Sequence, residues 1–241
     1  VNGTGWSLAG LQLSEGDNVI VVRATDAVGN YREATIRITL DTRIVLSVSF
    51  PGDSYLTSQC TIRVKGLTDP GTTVTVGAVT LTADDNGKFE GDVPLVEGSN
   101  ILSFVATDDV GNTAVQNLTV VVDTTAPAIE ITAPTNGTTV KNAPITVTGK
   151  TEPNVDVLVG SIFMKADAEG NFSVVVLLVE GANTITVRAS DGLGNTNETS
   201  IVIRLDTTPP EFTVTSPAQG SRTNKLLASL AGTVEAGARV T

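Results

Sequence analysis

ATDAVGN, residues 24–30, returns as ATDDVGN at 106–112 and as ASDGLGN at 189–195. Apolar residues alternate on either side of each copy. Leading in are Ile20, Val22 and Ala24, then Leu102, Phe104 and Ala106, then Ile185, Val187 and Ala189. Leading out are Ile36, Ile38 and Leu40, then Leu118, Val120 and Val122, then Ile201, Ile203 and Leu205. A period of two marks a strand with one buried face, so each copy is predicted to be the turn joining two antiparallel strands. Gly29, Gly111 and Gly194 supply the positive φ that such a turn needs.

The same spacing runs through the rest of the chain. Glu15-Gly16, Glu97-Gly98 and Glu180-Gly181 recur, as do Asp41-Thr42, Asp123-Thr124 and Asp206-Thr207. Pro51, Pro134 and Pro217 keep the interval, and so do Gly66, Gly149 and Gly232. Four unrelated markers in step define a tandem array of units of about 83 residues. Each unit adds a strand after its proline (62–64, 145–147), another at 74–76 or 155–159, and a hairpin at DDNGKF or DAEGNF. About seven short strands per unit predict an all-β chain of immunoglobulin-like β-sandwiches arranged as an extended rod.

The boundaries follow from the repeat. Residues 42–124 and 125–207 are complete units, separated by the short joints LDTTAP and LDTTPP. Residues 1–41 match only the C-terminal half of a unit and 208–241 only the N-terminal half. Two readings account for the halves. Either the polypeptide continues, which is favoured because a split sandwich exposes two unstable pieces, or the tail of one chain completes the head of the next.

Composition narrows the function. The 241 residues carry a formal charge of −11, with 15 Lys and Arg against 26 Asp and Glu, and no basic cluster interrupts them. Nucleic acid is therefore not an expected partner, nor is an anionic membrane surface. No apolar run reaches the roughly 18 residues of a membrane-spanning helix, so direct membrane insertion is not expected. Cys60 is the single cysteine, which excludes an intrachain disulfide, and it reads as a small, at least half-buried apolar residue. The chain has no histidine, which removes Ser-His-Asp and Cys-His nucleophiles and histidine metal ligands. The carboxylate pairs Asp84-Asp85 and Asp108-Asp109 fall in turns, where aspartate is expected anyway. No catalysis and no cofactor are expected.

The repeated aspartates admit two chemistries. As turn residues, Asp26, Asp108 and Asp191 accept hydrogen bonds from the N–H groups just ahead of them. As calcium ligands they would need help, because calcium takes about six to eight oxygens and one turn offers about two. Help would have to come from the joints, at Asp41, Asp123 and Asp206, with a neighbouring unit's loop. Turn chemistry is the simpler reading. Glu15, Glu97 and Glu180 read as loop punctuation, with the carboxylate solvated at the edge.

Five N-x-S/T sequons, at Asn2, Asn117, Asn136, Asn171 and Asn197, are candidate N-glycosylation sites. Asn117 lies on the outward register of its strand, while Asn136 and Asn171 fall in turns. Sugar binding would need an exposed aromatic platform. Trp6, Phe89 and Phe172 share one repeat position, with Trp6 one residue out of step, and read as core filling instead. Tyr31 and Tyr55 have no counterparts and read as isolated surface residues.

GNFSVVVLLVEGANTITVRASDGLGNT (170–196), the DTTPP joint (206–210) and VTGKTEPNVDV (147–157) resemble the Ig-like repeats of bacterial and archaeal cell-surface and secreted proteins. The resemblance implies an extracellular setting and a role as spacer, surface-layer or filament unit, adhesin stalk or accessory module. Self-association with identical chains or adjoining repeats is expected from the tandem units and the half-units at the ends. The expected function is a structural segment of an extracellular array. An adhesin stalk or accessory spacer of a larger secreted protein is the alternative.

Overall fold

The computed structural model describes residues 5–226 and 228–241, all in strands, turns and loops. The chain divides into two compact units, residues 1–124 and 125–241.

The first unit opens with a lone hairpin of β1 (Gly16–Thr25) and β2 (Tyr31–Leu40), paired antiparallel from Gly16↔Leu40 to Thr25↔Tyr31. A sandwich follows, built from β3 (Leu46–Phe50), β4 (Tyr55–Thr57), β5 (Thr61–Thr68), β6 (Thr73–Val76), β7 (Val79–Thr82), β8 (Lys88–Pro94), β9 (Gly98–Thr107) and β10 (Thr113–Val122). One sheet runs β3-β5-β8 and the other β4-β10-β9-β6-β7. All pairings are antiparallel except β4 with β10, which is parallel from Tyr55↔Val120 to Thr57↔Val122.

The second unit repeats this plan with β11 (Glu130–Ala133), β12 (Thr139–Val140), β13 (Ile145–Lys150), β14 (Asp156–Val159), β15 (Ile162–Lys165), β16 (Asn171–Val176), β17 (Gly181–Ser190) and β18 (Thr196–Leu205). Its sheets are β11-β13-β16 and β12-β18-β17-β14-β15. A two-stranded piece, β19 (Phe212–Ser216) with β20 (Ala231–Val234), completes the unit. The X-Pro bonds at Pro51, Pro134 and Pro217 are cis, so the repeat is kept down to the peptide isomer.

The alternation places the core as the sequence implies. Val64, Val74, Val76, Phe89, Phe104, Val120 and Val122 fill the first sandwich, and Val147, Val157, Val159, Phe172, Val187 and Ile203 fill the second. Each sandwich closes its own apolar cluster. Corresponding positions differ in both directions: Phe104 becomes Val187 while Val120 becomes Ile203. Exchanges of that kind hold core volume roughly constant.

Four expectations change. Each sandwich has eight strands rather than seven. The DDNGKF and DAEGNF turns do not close hairpins, because β7 pairs with β6 while β8 pairs with β5, and likewise β15 with β14 and β16 with β13. These turns instead carry the chain from one sheet to the other. Cys60 is exposed, since it sits in the bend before β5, ahead of the alternation that buries Ile62 and Val64. Trp6 is 64% exposed although Phe89 and Phe172 are buried, because residues 5–14 form no strand and have no sheet beside them.

Candidate functional site

The residues that recur most faithfully lie at the strand ends. In the first DxxGN turn the N–H groups of Val28 and Asn30 donate to Asp26 Oδ1 (3.0 and 2.8 Å), and Asn30 Nδ2 donates to Oδ2 (2.9 Å). Asp108 takes the same three bonds from Val110, Asn112 and the Asn112 amide, and Asp191 from Leu193, Asn195 and the Asn195 amide. Gly29, Gly111 and Gly194 take φ of 93°, 95° and 87°, where a Cβ would strain the turn. The sheet-crossing turns repeat the device, with Asp84 accepting from Asn86 and Lys88 and Asp167 from Glu169 and Asn171. Both oxygens of each DxxGN carboxylate are thus engaged inside its own turn. Among the described residues, no group of three or more acidic or sulfur ligands clusters as a metal centre would require.

Those bonds set the titration. The Asn30 amide and its N–H hold the Asp26 carboxyl below the ordinary aspartate range, and the Asn171 N–H does the same for Asp167. At Asp108 and Asp191 partial desolvation pushes upward, but the asparagine amides and turn N–H groups outweigh it, leaving both lowered. A carboxyl depressed in the folded state lends stability above its unfolded pKa, about 3.9 for aspartate, and loses it as pH falls through the folded value. Melting temperature is therefore expected to hold between pH 7 and 5 and to fall below about pH 4. Asp191→Ala should lower the melting temperature of the second sandwich and flatten its acid limb. EDTA should move neither transition; a drop on chelation would restore the calcium reading.

The EGxN segments are a second recurrent device. Asn18 Oδ1 accepts from the Ser14 N–H while its Nδ2 donates to the carbonyls of Ser14 and Gly16, and Asn100 and Asn183 repeat this with Val96 and Gly98 and with Val179 and Gly181. The glutamates are not merely solvated. Thr42 donates its N–H and Oγ1 to Glu15 (3.1 and 2.7 Å), Thr124 its own to Glu97 and Thr207 its own to Glu180. The loop ahead of each hairpin thus ties down the joint that leaves it, across 27 residues. This tie was not legible in the sequence, although the matched recurrence of Glu-Gly and Asp-Thr was its signal. Asn112 adds a link by donating from Nδ2 to the Asp41 carbonyl (3.2 Å), so a turn asparagine also braces a joint.

The sequon residues are placed unevenly. Asn117 points out of β10 and is exposed. Asn136 is exposed in a turn but accepts from the Val202 N–H. Asn171 opens β16 with its amide on Asp167, and Asn197 donates to the Pro127 carbonyl. Asn2 lies outside the described residues. Tyr31 is 62% exposed and lies under the Arg23 guanidinium, while Tyr55 packs edge-on against Phe50, so the two form no shared platform.

A family model described as glucodextranase, domain B, matches residues 45–124 and again 127–207. The chain belongs to this family. The two matches cover the two sandwiches, so the glucodextranase domain B repeat is the eight-stranded unit with the Asp turns and Glu–Thr ties described above. Bacillopeptidase F of Bacillus subtilis is 34% identical over 119 residues, 47% of this chain and 8% of that protein. The domain B chain thus corresponds to a small fraction of that relative's length. Among solved structures, fibronectin(III)-like modules of Clostridium thermocellum CbhA align over 67% of this chain and 94% of theirs, at 18% identity and a TM-score of 0.39. A 1.5-MDa bacterial ice-binding adhesin aligns over 79% of this chain and 74% of its own, at 21% identity and a TM-score of 0.42.

Proposed function

We propose that the chain is a non-catalytic structural segment of an extracellular array or filament, in which Ig-like repeats hold neighbouring parts apart and the array grows head to tail. One observation carries this reading. The polar residues the repeat preserves are spent on the fold itself, in the Asp turns, the Asn loops and the Glu–Thr ties of the joints. An acidic surface supports an extracellular, soluble setting. Glycans on the exposed sequons, Asn117 foremost, fit the same setting.

The match to a small part of Bacillopeptidase F favours a second reading, an accessory spacer inside a larger secreted protein. One experiment separates the two. Antibody raised against residues 42–207 is applied to intact cells of the source organism and, by blotting, to their culture fluid. Labelling of the intact surface is the expected result. A released, larger polypeptide with hydrolytic activity would support the second reading, and labelling only after lysis would sink both.

A further inference from the structure

β8 and β16 hold the same place in the two complete sandwiches. Each lays its phenylalanine on a bare glycine of the strand beside it, Phe89 on Gly66 and Phe172 on Gly149. The fit is close, for a Cβ on either glycine would run into the ring. Each is also the outer strand of its three-stranded sheet, and among the described residues no strand pairs with its other side. Such an edge offers a row of backbone N–H and C=O groups to any strand that fits it.

The first sandwich guards this edge. Glu90, Asp92 and Pro94 lie on the exposed face of β8, and Arg63 of β5 pairs with both carboxylates (3.0 and 3.6 Å). Charges turn a second strand away, and Pro94 has no N–H to give it. The second sandwich lacks every one of these devices. The same positions hold Ser173, Val175 and Leu177, and Thr146 stands in place of Arg63. Val175, Leu177 and the following Val179 are 58%, 78% and 70% exposed. Val96, the counterpart of Val179, is 69% exposed, so this exposure belongs to the position in the repeat. Residues 170–179 carry no charge, and 174–179 read VVVLLV, an apolar run without proline.

We propose that β16 pairs edge to edge with β16 of a second copy, antiparallel about a two-fold axis at Val175. Two three-stranded sheets then become one of six, with β16 beside β16 at its centre. The occupant is a second copy because charge selects it. The chain carries −11, so two copies repel unless the strips that face each other are uncharged. This strip is. On that axis Val175 meets its own counterpart and Ser173 meets Leu177. The bracketing Glu169 and Glu180 fall opposite Gly181 and Gly170 of the second copy, not opposite one another. Outward side chains stay outward across the new ladder, so Val175 and Leu177 of both copies share one apolar stripe. The contact is isologous and closes at two copies. It joins chains side by side and does not depend on head-to-tail growth.

The test compares the full chain with Val175→Asp and Val175→Lys by sedimentation over a range of concentrations. Asp92 shows that the position accepts a charge, so each variant should melt as the parent does. The parent should be heavier than either variant, whose self-association should weaken at least about tenfold as like charges meet on the axis. An equimolar mixture of the two should rise towards the parent's mass, because opposite charges then face each other. Ser173→Glu combined with Val175→Asp, which copies the guard of β8, should stay as light as the single variants. Val115→Asp, at an equally exposed valine of the first sandwich, should leave the mass unchanged. Head-to-tail growth would raise all of these masses alike and so is told apart. Equal masses throughout, a mixture no heavier than its parts, or a Val115→Asp chain as light as Val175→Asp would overturn the contact.

Discussion

Phe104→Ala should lower the stability of the first sandwich by about 3–5 kcal/mol and leave the second at its original melting temperature. Phe104 is fully buried and belongs to the same core cluster as Phe89, with the two ring centroids 6.5 Å apart. Removing it deletes the transfer energy of the ring and leaves a hole that close-packed valines cannot fill. A small domain holds about 5–15 kcal/mol in all, so the loss moves its unfolding to much milder conditions. The second sandwich closes its own core, so its transition should not follow. Calorimetry of the variant should resolve two events where the parent shows them closer together. A shift of both sandwiches together would mean that the cores are energetically coupled.

The reciprocal experiment is Gly149→Val. The added Cβ would overlap the Phe172 ring and the Glu130 carbonyl oxygen. Neither yields easily: the ring is enclosed by the core, and the carbonyl belongs to β11, paired with β13 at Glu130↔Lys150. Overpacking typically costs about 1–3 kcal/mol, and a clash with backbone on one side and core on the other belongs at or above the top of that range. The second sandwich should therefore lose about 3 kcal/mol in denaturant titration while the first is unmoved. A cost below about 1 kcal/mol would show that the sheets can part locally, and the aromatic-on-glycine fit would then be looser than its recurrence implies.

How much of this the sequence discloses depends on the range of the interaction. The alternation around ATDDVGN named the buried residues of β9 and β10, because side-chain direction follows from the strand itself. The turn was equally legible, since aspartate and glycine act within four residues. Pairing between sheets was not. Periodicity says which face of a strand is buried but not which neighbour lies beside it, so the turn at Asp84 read as a hairpin when it crosses between sheets. The parallel pairing of β4 with β10 and the Glu97–Thr124 tie join residues far apart in the chain, where no local pattern speaks. Trp6 and Cys60 were misplaced for a related reason: a residue takes up its register only where a strand and its neighbour exist.

The pairing of β4 with β10 has a consequence when the ends of a sandwich are pulled. β4 lies near the entry of its sandwich and β10 is the last strand, and the two run parallel over three registered positions, as β12 and β18 do over two. Tension applied where the chain enters and leaves draws such strands past one another. Their hydrogen bonds must then yield together rather than one after another, as they would in a peeled hairpin. The Thr124 bonds to Glu97 lie just beyond that pair and anchor the departing chain to the same domain. A repeat wired in this way resists stretching at its two ends, with the longer parallel pair of the first sandwich set to outlast the shorter one of the second.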